Sequence, residues 1–146
     1  EGPDGQKANL PCIRPPWGRL LAVDGNTGEI LWASRLGLSE ALPEGKQETG
    51  ANNTFGGPIV TAGGLVFIGA TSDARFRAFD AKSGEMLWQH KLDYAPLTVP
   101  VTYRGKDGKQ YVAVIAAGSS LAPPPPAGAP SRPRNQEALV AFALPE

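Results

Sequence analysis

Short apolar runs alternate along this chain with clusters of glycine, proline, asparagine and aspartate, a pattern of strands and turns rather than long helices. Residues 19–23 form a short apolar run, residues 24–28 are dense in turn formers, and residues 29–36 run out again as an extended segment. The spacing predicts a hairpin held by a four- or five-residue turn. Residues 38–55 hold Pro43, Gly45, Gly50 and two asparagines without sustained periodicity, and read as a long loop with one helical turn over Ser39–Leu42. A strand over 57–62, a Gly63–Gly64 turn and the nearly all-apolar run 65–70 follow, the last carrying the signature of burial on both faces. Arg75-Phe76-Arg77-Ala78-Phe79 alternates charge and aromatic, and a further hairpin ends near Leu92. The sheet then restarts: a strand over 97–103, a polar loop over 105–109, a strand over 110–118, and a last one from Glu137 to Pro145. The count is two strands, then four, then three.

The first and second hairpins are copies of each other. Ala22, Asp24, Gly28, Glu29, Leu31 and Trp32 recur in register as Ala78, Asp80, Gly84, Glu85, Leu87 and Trp88, and Thr27 is answered by Ser83. The 56-residue offset from 22 to 78 is slightly longer than the roughly 40–50 residues of a propeller blade. Repeated four-stranded antiparallel sheets are the blades of β-propellers, whose closed rings hold about four to eight of them. The expected fold class is therefore all-β, a partial β-propeller of about two and a quarter four-stranded antiparallel blades. Residues 1–18 are an N-terminal arm with a proline-rich surface segment, packed down through Ile13 and Trp17. Residues 19–146 divide into a half blade (19–36), a full blade (57–92) and an incomplete blade (97–146) carrying a proline-rich loop at 121–134.

The repeated residues have structural uses. Gly28 and Gly84 supply the positive φ of a tight turn. Asp24 and Asp80 can accept backbone N–H groups within it. Trp32 and Trp88 are suited to lock one blade against the next, each with a large apolar area and an N–H that needs a partner when buried.

Composition narrows the picture by exclusion. Fourteen basic and fourteen acidic side chains cancel, so no electrostatic case for nucleic acid or an anionic membrane arises. No apolar run is long enough for a membrane helix, and with neither an initiator Met nor a signal peptide, any targeting segment is expected outside these residues. Cys12 is the only cysteine, which excludes an internal disulfide and a CxxCH haem site, and it reads as a small half-buried hydrophobe. Asp73, Asp93 and Asp107 fall in expected turns and read as solvated carboxylates, and His90 as an ordinary surface histidine on an outer strand.

The repeat, written A-x-D-x-x-[TS]-G-x-x-x-W, resembles the tryptophan-docking motif of the pyrroloquinoline quinone (PQQ) dehydrogenases, which are eight-bladed propellers. The resemblance extends through Leu10-Pro11-Cys12, Pro15-Pro16-Trp17-Gly18, Gly56-Gly57-Pro58, residues 62–69, Phe76–Asp80, Thr102-Tyr103, residues 108–112 and the closing residues 140–145. These segments look like the C-terminal portion of the glucose and quinate dehydrogenase branch. The resemblance implies an oxidoreductase, a parent protein that oxidises a sugar or polyol by hydride transfer to the quinone, with PQQ and Ca²⁺ as cofactors and a periplasmic location, the parent anchored to the inner membrane by a segment absent here.

The family's catalytic carboxylate and metal ligands lie in earlier blades and have no counterpart in this chain, so no catalytic or metal-binding residue is assigned. The segment expected to approach the cofactor is Thr54, Phe55, Gly56 and Gly57, leading into the strand nearest the propeller axis, where glycines let backbone come close to a planar ligand. An ordinary turn into an inner strand explains the same residues. The chain alone is expected to bind no cofactor and to be inactive. Its expected partners are the remaining blades, or a second copy joined through open sheet edges. A non-enzymatic tryptophan-repeat propeller acting as a scaffold or peptide-binding module is the alternative.

Overall fold

The computed structural model describes residues 10–51, 55–117 and 137–143. Within them the chain is all strand and turn, arranged as three antiparallel sheets of two, four and three strands. The first sheet pairs β1 (Arg19–Val23) with β2 (Ile30–Arg35). The second runs β3 (Ile59–Val60), β4 (Leu65–Ile68), β5 (Arg75–Asp80) and β6 (Met86–Lys91) in sequence order. The third runs β7 (Val101–Arg104), β8 (Gln110–Ala116) and β9 (Ala138–Ala143). Strand count and order are those expected from the hydrophobic pattern. The Pro-rich loop 121–134 and residues 1–9 lie outside the described residues.

Two inner strands are shorter than their sequence pattern suggests, and proline is the reason. Pro58 and Pro100 donate no N–H to a ladder, so pairing begins after each of them. Ahead of Pro100 the side chain of Thr98 takes over part of the ladder, its Oγ1 accepting from Ile115 N–H at 3.3 Å and donating to Ile115 O at 3.4 Å. The expected helical turn near residue 40 is a single bond, Leu42 N–H to Ser39 O at 3.0 Å, with no helix.

The sheets stack face to face, and the middle one is covered on both sides. Against the first sheet, Val66, Ile68, Ala70 and Phe79 pack with Leu20 and Leu36, flanked by Trp32. Against the third, Phe76 and Leu92 pack with Val112, Val114 and Ala116, flanked by Phe67, Val140 and Phe142. Alternation along β5 sends Phe76 and Phe79 to opposite faces, and both are essentially inaccessible to solvent. The Phe76 ring lies 6.1 Å from Phe67 and 5.7 Å from Phe142, so a continuous aromatic layer joins the second and third sheets. The outward faces of the end sheets remain open. Leu21, Val23 and Leu31 on one side, and Val101, Tyr103, Ile115 and Leu139 on the other, are exposed by 45–74%.

The two copies of the repeat fold alike. In each, a register shift falls one residue before the aspartate pair position, between Ala22 and Val23 and between Ala78 and Phe79. Asp24 Oδ1 accepts Asn26 N–H at 2.7 Å and Thr27 N–H at 3.0 Å, and Asp80 Oδ1 accepts Lys82 N–H at 2.9 Å and Ser83 N–H at 2.8 Å. These donors, led by Thr27 and Ser83, hold both carboxyls below the usual range. Gly28 and Gly84 close the turns at φ of 76° and 72°.

Trp32 crosses from the first sheet to the second. Its indole Nε1 donates to Ala81 O at 3.0 Å, and Ser34 Oγ donates to Gly84 O. The ring lies where a Gly84 side chain would be: a Cβ there would sit 2.5 Å from Trp32 Cε3. Trp88 presents its ring edgewise to Phe142 at 5.1 Å and stacks on His90 at 6.1 Å, but stays 38% exposed. Two expectations for the N-terminal segment change. Cys12 is exposed rather than half-buried, and Ile13 is 71% exposed rather than packed. Trp17 anchors the segment through hydrogen bonds, its backbone N–H to Thr49 O at 2.7 Å and its Nε1 to Ile13 O at 2.8 Å.

Gly84→Ala and Gly28→Ala form a controlled pair. Both place a Cβ at positive φ, at about 1 kcal/mol each. At Gly28 that Cβ meets nothing within 4 Å, whereas at Gly84 it strikes the Trp32 ring. Gly84→Ala is expected to lose about 1–3 kcal/mol more than Gly28→Ala, as for other overpacked contacts. Urea midpoints at constant m-value measure the difference, and equal midpoints would show that Trp32 docking contributes nothing.

Candidate functional site

Three chain segments meet where the connections between sheets return to the inner strands. The first is the end of the loop from β2 to β3. Phe55 is 45% exposed and its N–H donates to Ala70 O at 2.8 Å. Gly56 takes φ of 97°, and a Cβ on it would lie 2.8 Å from Leu97 O and 3.2 Å from Thr98 O, so the backbone of the next connection occupies that side. Gly57 is more open, with only Val99 Cγ2 at 3.5 Å. Thr54 lies outside the described residues. The structure thus brings Phe55, Gly56 and Gly57 together as a backbone edge with one exposed ring. The requirement for glycine at 56 is met by close approach of the chain itself.

The second segment is the β4–β5 turn. Ala70 and Ala74 both adopt positive φ, 58° and 55°, each costing on the order of 1–2 kcal/mol for a residue with a Cβ. The side chain of Asp73 holds this turn closed. Its Oδ1 accepts Thr71 Oγ1 at 2.6 Å, Arg75 N–H at 3.3 Å and Arg77 Nη1 at 3.3 Å, and its Oδ2 pairs with Arg77 Nη2. The Asp73 and Arg77 side chains are 1% and 2% exposed. Asp73 is therefore not the solvated carboxylate that its turn position suggests, whereas Asp93 and Asp107 are exposed. Asp107 accepts Tyr111 OH at 2.7 Å, and that bond raises the Tyr111 phenol above its usual range.

The third segment is the start of the β2–β3 loop. Leu38 N–H donates to Asp73 Oδ2 at 2.8 Å, and Glu40 reaches Arg75 at 2.7 Å and Lys91 at 3.1 Å. The loop between them is pinched at its neck, where Ala51 N–H donates to Leu36 O at 2.8 Å and Leu36 N–H to Gly18 O at 3.0 Å. A groove of about 280 Å³ opens beside it between the first two sheets, lined by Ser34, Arg35, Arg77, Phe79, Met86 and Gln89.

Burial alone would raise the Asp73 carboxyl. The Arg77 hydrogen bonds and charge, Thr71 and the Leu38 N–H outweigh that and hold it below the usual value. With both oxygens committed and the carboxylate held ionised, Asp73 is a structural anion and not a general base. Burial likewise opposes ionisation of Glu40, and Arg75 and Lys91 outweigh it and lower its carboxyl. Among the described residues no group of three or more His, Cys, Asp or Glu side chains is placed to hold a metal ion. At this edge the Phe55 ring is partly exposed and the Gly57 backbone is the more open of the two glycines.

The Asp73–Arg77 knot is what sequence reasoning missed. A signal existed: Arg77 shares the strand face of Phe79, and a charge at a core-facing position demands a partner. Two carboxylates flank it, Asp80 three residues on and Asp73 four residues back, and because Asp80 caps its own turn through Lys82 and Ser83 N–H, the partner is Asp73.

The sequence profile described as "PQQ: Glucose/ethanol/alcohol dehydrogenase, beta-propeller domain" matches residues 2–112. The quinoprotein glucose dehydrogenase of Escherichia coli K12 is 40% identical over 114 residues, 75% of this chain and 14% of the relative. The quinate/shikimate dehydrogenase (quinone) of Acinetobacter baylyi is 37% identical, covering 78% of this chain and 15% of the relative. The glycerol dehydrogenase large subunit of Gluconobacter thailandicus is 36% identical, covering 97% and 18%. Among solved structures, a europium-containing methanol dehydrogenase superposes with a TM-score of 0.52 at 38% identity, covering 67% of this chain and 14% of that one. The quinohemoprotein alcohol dehydrogenase of Comamonas testosteroni gives 0.51 at 33% identity, covering 67% and 12%. The chain thus spans less than a fifth of the length of these relatives.

Arg77→Met leaves the Asp73 carboxylate buried without its cation, and is expected to cost about 3–5 kcal/mol at neutral pH. Because the folded carboxyl lies below its unfolded value, its contribution is complete above about pH 4 and disappears as pH falls through the folded value. Urea midpoints from pH 7 to pH 2 should show the gap between wild type and Arg77→Met closing on the acid side.

Proposed function

Because the chain belongs to the PQQ β-propeller family of glucose, ethanol and alcohol dehydrogenases, we propose that it is the C-terminal blade portion of an enzyme oxidising a sugar or polyol by hydride transfer to the quinone. The observation that carries this reading is the docking of Trp32 on Gly84, a clamp built from the repeat and set between successive sheets. PQQ supplies the hydride acceptor when bound. This chain's own part is to build the wall beside it, with Phe55 and Gly57, and Gly56 between them, offering ring and backbone to one edge. The catalytic base and any Ca²⁺ ligands belong to other blades of the parent. The two open apolar faces are where those blades pack, and the parent is periplasmic. Among the described residues no helix is long and apolar enough to cross a membrane. Sugar and polyol substrates are favoured by the glucose, quinate and glycerol dehydrogenases among the relatives.

The chain mixed with PQQ, Ca²⁺ and a dye acceptor should give no turnover of glucose, glycerol or quinate, and measurable turnover would overturn the division of labour. One edge contact is expected to bind PQQ with a dissociation constant of about 1 mM or weaker. Quenching of tryptophan emission reads this directly, and micromolar binding would place a complete cofactor site in these residues.

A further inference from the structure

The β4–β5 turn is a junction through which four other segments are tied. Asp73 Oδ2 takes the Leu38 N–H at 2.8 Å, and Ala70 O takes the Phe55 N–H at 2.8 Å. Ala70 N–H donates to Pro96 O at 2.8 Å, and Ala74 O takes the Leu92 N–H at 2.7 Å. The β2–β3 connection is thereby gripped at its start and its end, and the β6–β7 connection at Leu92 and Pro96. Gly56 lies between them, with the Leu97 and Thr98 carbonyls where its Cβ would be. The two residues through which the turn grips Phe55 and Leu92, Ala70 and Ala74, are the two at positive φ, a conformation that does not hold itself. What closes the turn over them is the Asp73 carboxylate, bonded to Thr71, Arg75 and Arg77.

We propose that Asp73 is a positioning residue for the Phe55–Gly57 edge: by closing the β4–β5 turn onto Arg77 it sets the Ala70 amide and carbonyl, and these set both connections that flank Gly56. Only the use of that edge for a cofactor rests on the proposed function. The positioning itself is a property of the chain and is measured without quinone. The groups that face the carboxylate are Arg77 and Arg75 of β5, the Thr71 hydroxyl and the Leu38 N–H. Glu40 of the loop and Lys91 of β6 stand behind Arg75.

Amide NMR of the full chain tests this. In the wild type, the Leu38, Phe55 and Gly56 amide shifts should move together as the Asp73 carboxyl is titrated, with one shared midpoint below the usual carboxylate range. In Glu40→Gln that shared titration should persist, and in Asp73→Asn it should vanish. In Asp73→Asn, exchange at the Phe55 and Ala70 amides should also accelerate by roughly tenfold or more over that in β8, because a local opening replaces a global one. Phe55 and Gly56 amides that ignore the Asp73 midpoint would overturn the proposal, as would a titration abolished by Glu40→Gln. The wild-type titration decides the matter even if Asp73→Asn fails to fold. Failure of PQQ to contact residues 55–57 would leave a positive titration standing, so the two readings fail separately.

Discussion

A β-sheet with two apolar faces needs cover on both, and among the three sheets only the middle one has it. Everything else in the fold follows from how that cover is held in place. Hydrophobic contact supplies most of the stabilisation but is not directional. Geometry therefore comes from a few polar and steric devices in the turns at the two ends of β5: Trp32 seated on Gly84 in the turn that follows it, and the Asp73–Arg77 knot in the turn that precedes it. The first fixes how far one sheet slides over the next. The second fixes the connections that carry the chain between sheets.

The two devices differ in kind. Trp32 meets a turn that needs glycine twice over, for its positive φ and for the missing Cβ that the indole replaces. Asp73 and Arg77 form a buried ion pair, whose net contribution is small beside the cost of breaking it. Such a pair serves to define placement more than to add stability. Here it spans the turn in which Ala70 and Ala74 take positive φ, and those alanines bond backbone groups of the neighbouring connections. Conformational strain, a buried charge and the candidate contact edge are thus one structural unit.

The open faces of the first and third sheets are the counterpart of this arrangement. Leu21, Val23 and Leu31, and Val101, Tyr103 and Leu139, have the composition of covered blade faces and lack the cover. Trp88 repeats Trp32 in sequence but not in environment, since it leans on Phe142 and His90 rather than on a glycine turn. The chain's share of its relatives' length, 14–18% for the glucose, quinate and glycerol dehydrogenases, is consistent with faces that meet further blades.

Strand order, the copying of the hairpin, the turn glycines and the role of Trp32 were legible from residue spacing, because alternation and turn chemistry are local properties and repetition marks the unit. The family was legible too, since its motif is the hairpin itself. What tertiary structure alone decided was which polar groups became buried. Asp73 sits in a turn of polar neighbours and reads as solvated, yet folding brings Leu38 and Arg77 around it. Cys12 reads as half-buried and Ile13 as packed, yet both are exposed. Gly56 reads as room for a ligand, and folding fills one side of it with the carbonyls of Leu97 and Thr98. The physical reason is common to all three: burial is set by segments distant in sequence, and local pattern cannot report which of them will come near.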